Sequence, residues 1–401
     1  MFQKAGYVEN SDSPDVVLIN TCSVTATADQ KSRQHIRKFQ NLYPNAIIVV
    51  MGCYAQGNKD FIANEIKPTI LVGTSNRNKI VELIEQYQKT KTPIVMVDPD
   101  PRKYTYEELG VTSCSENTRA YLKIQDGCNN FCTYCIVPFR RGKMRSRNKD
   151  AILEEARNIV NSGYQEIVLS GIHVGGYGQD LEDINFSKLV SLLSDIQGLN
   201  SLRISSIEES EIDDDLIALI SKRNNIAHHL HIPLQSGSNE VLKAMNRKYT
   251  REEFIDKIQR IKKEIPDIAI STDIIVGFPG ETEENFLDTV DLAEKCFDMI
   301  HVFPYSPREG TVAAAMKNQI DPRIKTERVN RLLDLSKKLW ESYTNRFINS
   351  NVNVLIERYD TKNKLNIGHT SNYLEVAIQG DASKVGQYVN ILLTKNMIVS
   401  K

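Results

Sequence analysis

The sequence predicts an α/β protein in three parts: an N-terminal flavodoxin-like parallel α/β domain, a central partial (β/α)6 barrel, and a small C-terminal β-barrel of the OB-like kind. Three observations carry this. Through residues 1–90, short uninterrupted apolar runs alternate with helical patterns, and strands that are apolar on both faces belong to parallel sheets covered on each side. Between Arg119 and Phe303 six further strand–helix units follow, too few to close an eight-stranded barrel. After a long amphipathic helix, the tail reads as four or five short strands separated by turns.

In chain order, Asp15–Asn20 (DVVLIN), Ala46–Met51 (AIIVVM) and Thr69–Val72 read as strands, with helices over Asp29–Asn41 and Asn78–Gln88. Residues 91–118 are Pro-rich and polar and read as a linker. The central domain, 119–338, takes its strands from Ala120–Ile124, Glu166–Ser170, Leu202–Ile207, His228–Ile232, Ile268–Val276 and Ile300–Phe303. The helix Asp321–Asn349 gathers Val329, Leu332, Leu339, Trp340 and Tyr343 near one side. The tail domain, 339–401, holds strands at Val352–Arg358, Leu365–Gly368, Tyr373–Ile378 and Val385–Leu393.

A chain of 401 residues exceeds one ordinary core, so two or three domains are expected. Charged and apolar fractions of 25% and 41% are those of a globular protein. The longest apolar run, Ala46–Met51, is far shorter than the ~20 residues that span a bilayer, and the N-terminus has no apolar core for a signal peptide. No membrane is expected. Seven Cys, three of them clustered, form no disulfide framework, which points to the reducing cytoplasm. The net charge is only −1, yet Arg323–Lys401 carries thirteen Lys and Arg against seven Asp and Glu. That asymmetry predicts a polyanionic partner.

The chemistry centres on Gln125–Gly142, QDGCNNFCTYCIVPFRRG, where Cys128, Cys132 and Cys135 are spaced C-x3-C-x2-C. Thiolates are soft ligands for zinc, copper(I) or iron–sulfur clusters. A closed zinc site wants four ligands, usually in two separated pairs. Three close thiols can instead hold three irons of a 4Fe–4S cube and leave the fourth open; a three-Cys zinc turn or unrelated thiols are the plainer alternatives. Cys22 and Cys53 follow the first two strands, where ligands bind in parallel sheets, so they are either metal ligands or two small buried residues. The barrel strands end in Gly171-Ile-His-Val-Gly-Gly-Tyr-Gly178, Glu208, Gln235 and Gly277-Phe-Pro-Gly280, and the carboxyl ends are where barrels place their sites. The run Arg140, Arg141, Lys143, Arg145, Arg147 is either a solvated face or a phosphate grip. His228, His229 and His231 alternate along a strand, so some are expected to be buried and satisfied and some to face solvent; neither they nor His173 are expected to bind metal, Cys296 reads as a core residue, and Cys114 as an incidental thiol that could in principle serve as a ligand.

The cysteine triplet, with Tyr134 before its last member, resembles the signature of radical S-adenosylmethionine (SAM) enzymes. INTCSVTATADQKSRQ and MGCYAQ resemble the N-terminal domain of methylthiotransferases, and the tail resembles a TRAM domain. The resemblance covers nearly the whole chain. It implies a 4Fe–4S cluster on Cys128, Cys132 and Cys135 whose open iron is chelated by SAM, cleaved to a 5′-deoxyadenosyl radical. It implies SAM contacts at Tyr134, Gly171, Glu208, Gln235 and Gly277, and a second, auxiliary 4Fe–4S cluster using Cys22 and Cys53. The family has a further Cys upstream, after an initial strand; both are missing here, and a truncated or mis-started sequence is the expected reason. RAYLKIQDGCNNFCTYCIVPFRRGKMRSR and GIHVGGYG are most similar to the branch that methylthiolates threonylcarbamoyladenosine at position 37 of tRNA. The implied partners are the anticodon stem-loop, held by the tail and the Arg140–Arg147 run with the base splayed into the barrel mouth, and a flavodoxin or ferredoxin as electron donor, with the enzyme a monomer. Carried alternatives are another methylthiotransferase branch, a SAM-cleaving enzyme that no longer inserts sulfur, and a non-catalytic RNA-binding metalloprotein.

Overall fold

A computed structural model describes residues 1–10, 12–109 and 118–399; Cys114 lies outside them. The chain forms two compact units, one of Met1–Val111, Asp126–Arg145 and Ser306–Ala315, the other of Thr112–Gln125, Ser146–Tyr305 and Met316–Lys401.

In the first unit four parallel strands, β1 (Val16–Thr21), β2 (Ile47–Gly52), β3 (Ile70–Val72) and β4 (Ile94–Met96), lie in the order β1-β2-β3-β4. The unbroken apolar run of β2 is explained by its two faces. Ile48 and Val50 pack with Ile19, Ile36, Tyr54 and Ile62 on one side, and Ile47 and Val49 with Ile70, Val72, Ile80 and Leu83 on the other. Helix Ala26–Leu42 starts where the Thr25 hydroxyl accepts the Ala28 amide at 3.1 Å. The linker reading needs correction: Ile94–Met96 is a strand of this sheet, because three apolar β-formers beside β3 complete a ladder whatever the Pro-rich text around them.

In the second unit the six expected strands are present as β5 (Arg119–Lys123), β6 (Glu166–Ser170), β7 (Ser201–Ile204), β8 (His229–His231), β9 (Ala269–Val276) and β10 (Met299–Pro304). β5-β6-β7 and β8-β9-β10 are parallel ladders, joined by the bridge Ser206↔His231. Alternation sorts the side chains. Leu122, Ile124, Ile167, Leu169, Leu202, Leu230 and Ile270 belong to the main apolar core. Their neighbours Tyr121, Val168, Arg203, His229, His231 and Ser271 line a cavity of about 260 Å³. The alternating histidines expected from the sequence are thus divided: His229 and His231 meet the Ser271 hydroxyl at 3.0 Å each, whereas His228 points elsewhere, to Asp267 at 2.9 Å.

The tail is an antiparallel sheet of β11 (Asn351–Asp360), β12 (Leu365–Thr370), β13 (Glu375–Gln379) and β14 (Tyr388–Leu392), in the order β13-β12-β11-β14. It seats against the N-terminal ends of the barrel strands. Trp340 and Tyr343 of helix Pro322–Asn345 join Val354, Ile356, Leu374 and Val376 in one apolar cluster with Ala269 and Met299, the first residues of β9 and β10. Tyr373 stacks on His229, the first residue of β8, with ring centroids 4.3 Å apart. Arg203 donates to the Thr370 and Ser371 carbonyls at 3.3 and 3.2 Å. Glu166, the first residue of β6, is 1% exposed and takes both Arg203 (3.1 Å) and Arg119. Arg119 also reaches Glu357 of the tail at 2.5 Å.

Candidate functional site

The cysteine loop belongs to the first unit. Gly127 begins it at φ +75°, and a Cβ there would lie 1.9 Å from the Lys143 carbonyl oxygen, so only glycine fits. The loop is closed by the Cys128 amide donating to Gly142 O (3.2 Å) and the Cys135 amide to Cys132 O (2.9 Å), and it runs into helix Val137–Arg141. Cys128, Cys132 and Cys135 are all unbridged and half-buried. Phe131, held at φ +48°, and Phe139 are each about half exposed and meet edge to face at 5.9 Å. Among the described residues no group of three or more His, Cys, Asp or Glu stands where it could hold a metal ion. The fit to a cluster rests on the donor set: three accessible thiols on one turn, each able to serve a different iron.

Cys22 and Cys53 are brought together. Thr21 and Gly52 are the last registered pair of β1 and β2, strands that run ~5 Å apart, so each Cys is the first residue beyond one of two adjacent strand ends, Cys53 opening the short helix Cys53–Gly57. The Thr21 hydroxyl donates to Met51 O (2.6 Å) and accepts the Ala55 amide (3.2 Å), locking the two strand ends. Gly52, at φ +104° with a virtual Cβ 2.4 Å from Thr21 O, permits the turn. Ser32 ties down the Cys22 backbone, accepting its amide at 3.3 Å and donating to its carbonyl at 3.1 Å. The pair therefore suits two ligands of one group.

The arginine run is neither of the two things expected. Arg141 donates from Nε to Cys53 Sγ at 3.1 Å and from Nη1 to Asp126 at 3.4 Å. Arg145 is buried against the same carboxylate at 3.2 Å. In the second unit Arg147 is buried on Glu155 at 2.5 Å. Neither Arg145 nor Arg147 offers a free face to RNA phosphate; Asp126 takes Arg141 and Arg145, and Glu155 takes Arg147. Lys143 alone of the run is exposed.

Within the second unit the expected strand-end residues occupy distinct settings. A Cβ on Gly171 would come within 3.0 Å of Gln125 Oε1, the oxygen that accepts the Ile172 and His173 amides at 3.1 and 2.8 Å. His173 is buried and paired with Glu211 at 2.5 Å. Glu208 is gripped by both Nη atoms of Arg247, a fork the sequence did not signal. Gln235 sits at φ +67°, its amide donating to Asp273 O at 2.9 Å. Gly277, at φ +70°, donates to Glu281 Oε2 at 2.6 Å, and Arg328 meets the same carboxylate oxygen at 2.6 Å. Burial pushes the Glu281 carboxyl up despite the Gly277 amide and Arg328. Cys296 is a core thiol, pushed up to about 11 by burial.

His228 gives a pH-dependent signature away from these residues. Hydrogen bonding to Asp267 raises its pKa above the ordinary 6.5 and lowers that of Asp267. The His228 contribution is complete below pH 6.5 and lost as pH rises through the folded value; the Asp267 contribution is lost as pH falls below 3.8. His228→Asn is expected to cost at most about 1 kcal/mol, since the pair is partly exposed, and to cost less at pH 9 than at pH 5.5 in urea titrations.

Residues 122–293 match the family model for the Radical SAM superfamily and residues 1–73 that of Uncharacterized protein family UPF0004. The threonylcarbamoyladenosine tRNA methylthiotransferase MtaB of Bacillus subtilis (strain 168) is 44% identical over 402 residues, covering 98% of this chain and 89% of that protein. A tRNA-2-methylthio-N(6)-dimethylallyladenosine synthase of Thermoanaerobacter pseudethanolicus is 41% identical over 407 residues, covering 98% and 86%. Among solved structures, the radical SAM methyltransferase TsrM from Kitasatospora setae superposes with a TM-score of 0.56 at 14% identity, over 75% of this chain and 66% of that one, which is a likeness of fold. The superfamily's 4Fe–4S cluster and SAM suit the three thiols of the loop. With such identity along nearly its whole length, the chain belongs to the methylthiotransferase family of radical SAM enzymes.

Proposed function

We propose that this enzyme adds a methylthio group to carbon 2 of N6-threonylcarbamoyladenosine at position 37 of tRNA. The observation that carries the reading is the 44% identity, over 98% of the chain, to a relative named for that substrate. Cys128, Cys132 and Cys135 are the ligands of the SAM-binding cluster. When bound, cluster and SAM supply a 5′-deoxyadenosyl radical, suited to an aromatic C–H that no acid or base removes at neutral pH. Gly171 and Gly277 let backbone approach SAM, while Tyr134 and Gln235 complete its contacts. Glu208, although clamped by Arg247, keeps lone pairs for ribose hydroxyls. Cys22 and Cys53 are two ligands of the auxiliary cluster; among the described residues no third ligating side chain joins them.

The basic tail would hold the anticodon stem-loop, its charge favouring a polyanion. Reducing equivalents would come from a flavodoxin or ferredoxin, and the enzyme would act as a cytoplasmic monomer. No helix among the described residues is long and apolar enough to cross a membrane. Mass spectrometry of tRNA nucleosides tests the substrate: a deletion strain lacking any second enzyme of this kind should lose methylthio-threonylcarbamoyladenosine and accumulate its unthiolated precursor. The 41% relative favours a second reading; loss of the methylthio-dimethylallyladenosine nucleoside instead would establish that branch.

A further inference from the structure

The first unit holds more positive charge than its own carboxylates balance. Arg141 links Cys53 to Asp126, and Arg145 and Arg77 converge on that same carboxylate at 3.2 and 4.0 Å. Arg77 is also paired with Glu107 at 2.8 Å. Arg308, 7% exposed, donates to the hydroxyl of Ser23, next to Cys22, and to Asp29, both at 2.9 Å. Arg140 lies over the turn that follows Cys53. Its Cζ is 2.2 Å from where a Gly57 Cβ would stand, so the missing side chain makes the guanidinium's seat. Five guanidiniums thus meet three carboxylates, Asp29, Asp126 and Glu107, inside this network; Glu309, which also acts on Arg140, is exposed. Nε of Arg140, of Arg145 and of Arg308 is buried with no hydrogen-bond partner among the described residues. Buried cations without matching anions are strongly disfavoured, and the arrangement implies a guest of negative charge.

We propose that this guanidinium set is built to receive an anionic iron–sulfur cluster on Cys22 and Cys53, and that Arg141 is its positioning residue, holding the Cys53 sulfur by an N–H···S hydrogen bond. The inference rests on the reading of Cys22 and Cys53 as auxiliary-cluster ligands. Two thiolates cancel the charge of an oxidised 4Fe–4S core, so on Cys22 and Cys53 it is the reduced cluster that is net negative and supplies charge the arginines lack. A hydrogen bond to a ligating sulfur favours the reduced, more negative cluster and raises its potential, and it fixes the ligand's orientation. Arg141 also binds Asp126, two residues before Cys128, so one side chain orders both cysteine loops.

The test uses the full chain with Cys128, Cys132 and Cys135 all changed to Ala, reconstituted with iron and sulfide under anoxia, so that only the Cys22–Cys53 site can report. The parent is compared with Arg141→Lys and Arg141→Met by EPR-monitored redox titration and by cluster loss to an iron chelator. Arg141→Met is expected to shift the midpoint to lower potential and to weaken iron retention by about 10–100-fold. Arg141→Lys, which keeps the charge but cannot fork to both partners, should fall between; it guards against a merely misfolded Met variant, and urea midpoints of the apo proteins check this directly. Identical potential and retention in all three proteins would overturn the role of Arg141 while leaving the cluster in place. A parent that takes up no iron–sulfur cluster would overturn the auxiliary site itself, and this inference with it.

Discussion

Changing Cys132 to Ala is expected to bring 5′-deoxyadenosine formation under strong reductant to background, and Cys128→Ala and Cys135→Ala should do the same. In a single ligand set, as proposed, the first loss should cost as much as all three together. Each thiol is half-buried on a surface turn, so the apo variants should unfold within about 0.5 kcal/mol of the parent. Anoxic reconstitution with iron and sulfide counting, followed by chromatography of SAM products, makes the measurement. Retention of a tenth of the parental cleavage in any single variant would mean that the loop is not the ligand set. Uptake of one zinc by the parent, with no SAM cleavage, would instead return the chain to the non-catalytic RNA-binding alternative.

Glu166→Gln is the substitution with the largest expected effect on stability. Its carboxylate is buried under two guanidiniums, Arg203 and Arg119, and accepts the Ser201 hydroxyl at 2.8 Å. Burial alone would raise the Glu166 carboxyl; Arg203 and Arg119 outweigh it and hold the pKa below the ordinary 4.5. The stabilisation is therefore present above pH 4.5 and is lost as pH falls through the folded value. Neutralising Glu166 leaves buried cations with one carboxylate, Glu357, between them, at a cost of about 3–5 kcal/mol. Urea titration at pH 7 should show this as a lowered midpoint with unchanged slope, and the penalty should shrink toward pH 3. Glu166→Leu combined with Arg203→Met should recover part of the loss, because the partner left uncompensated is removed as well. A midpoint for Glu166→Gln within about 0.5 kcal/mol of the parent would refute the account of this triad.

Local chemistry was legible in the sequence. The runs AIIVVM and EIVLS announced buried parallel strands, the C-x3-C-x2-C spacing announced soft-metal chemistry, and the alternation in HHLH announced divided histidines; each signal lies within a few residues. What could not be read depends on sequence-distant pairs. Arg308 reaches Ser23 across 285 positions, and nothing in SPREG marks it as a buried cation. The fork of Arg247 on Glu208, 39 positions away, is equally silent. The arginine run misled for the same reason: composition records five basic residues but not Asp126 or Glu155, which take Arg141, Arg145 and Arg147 inward. Ile94–Met96 was hidden because a three-residue strand becomes one only when β3 lies beside it.

The seating of the C-terminal sheet has a consequence for the RNA contact proposed for the tail. With Tyr373, Trp340 and the Glu166 ion group fastening that sheet under the strands, it cannot swing like a bead on a string. A stem resting on it, as proposed above, would lie at a set height from the far rim, and a duplex longer by one base pair, about 3 Å of rise, would offer the wrong nucleotide. The floor of the barrel would then double as a gauge of length.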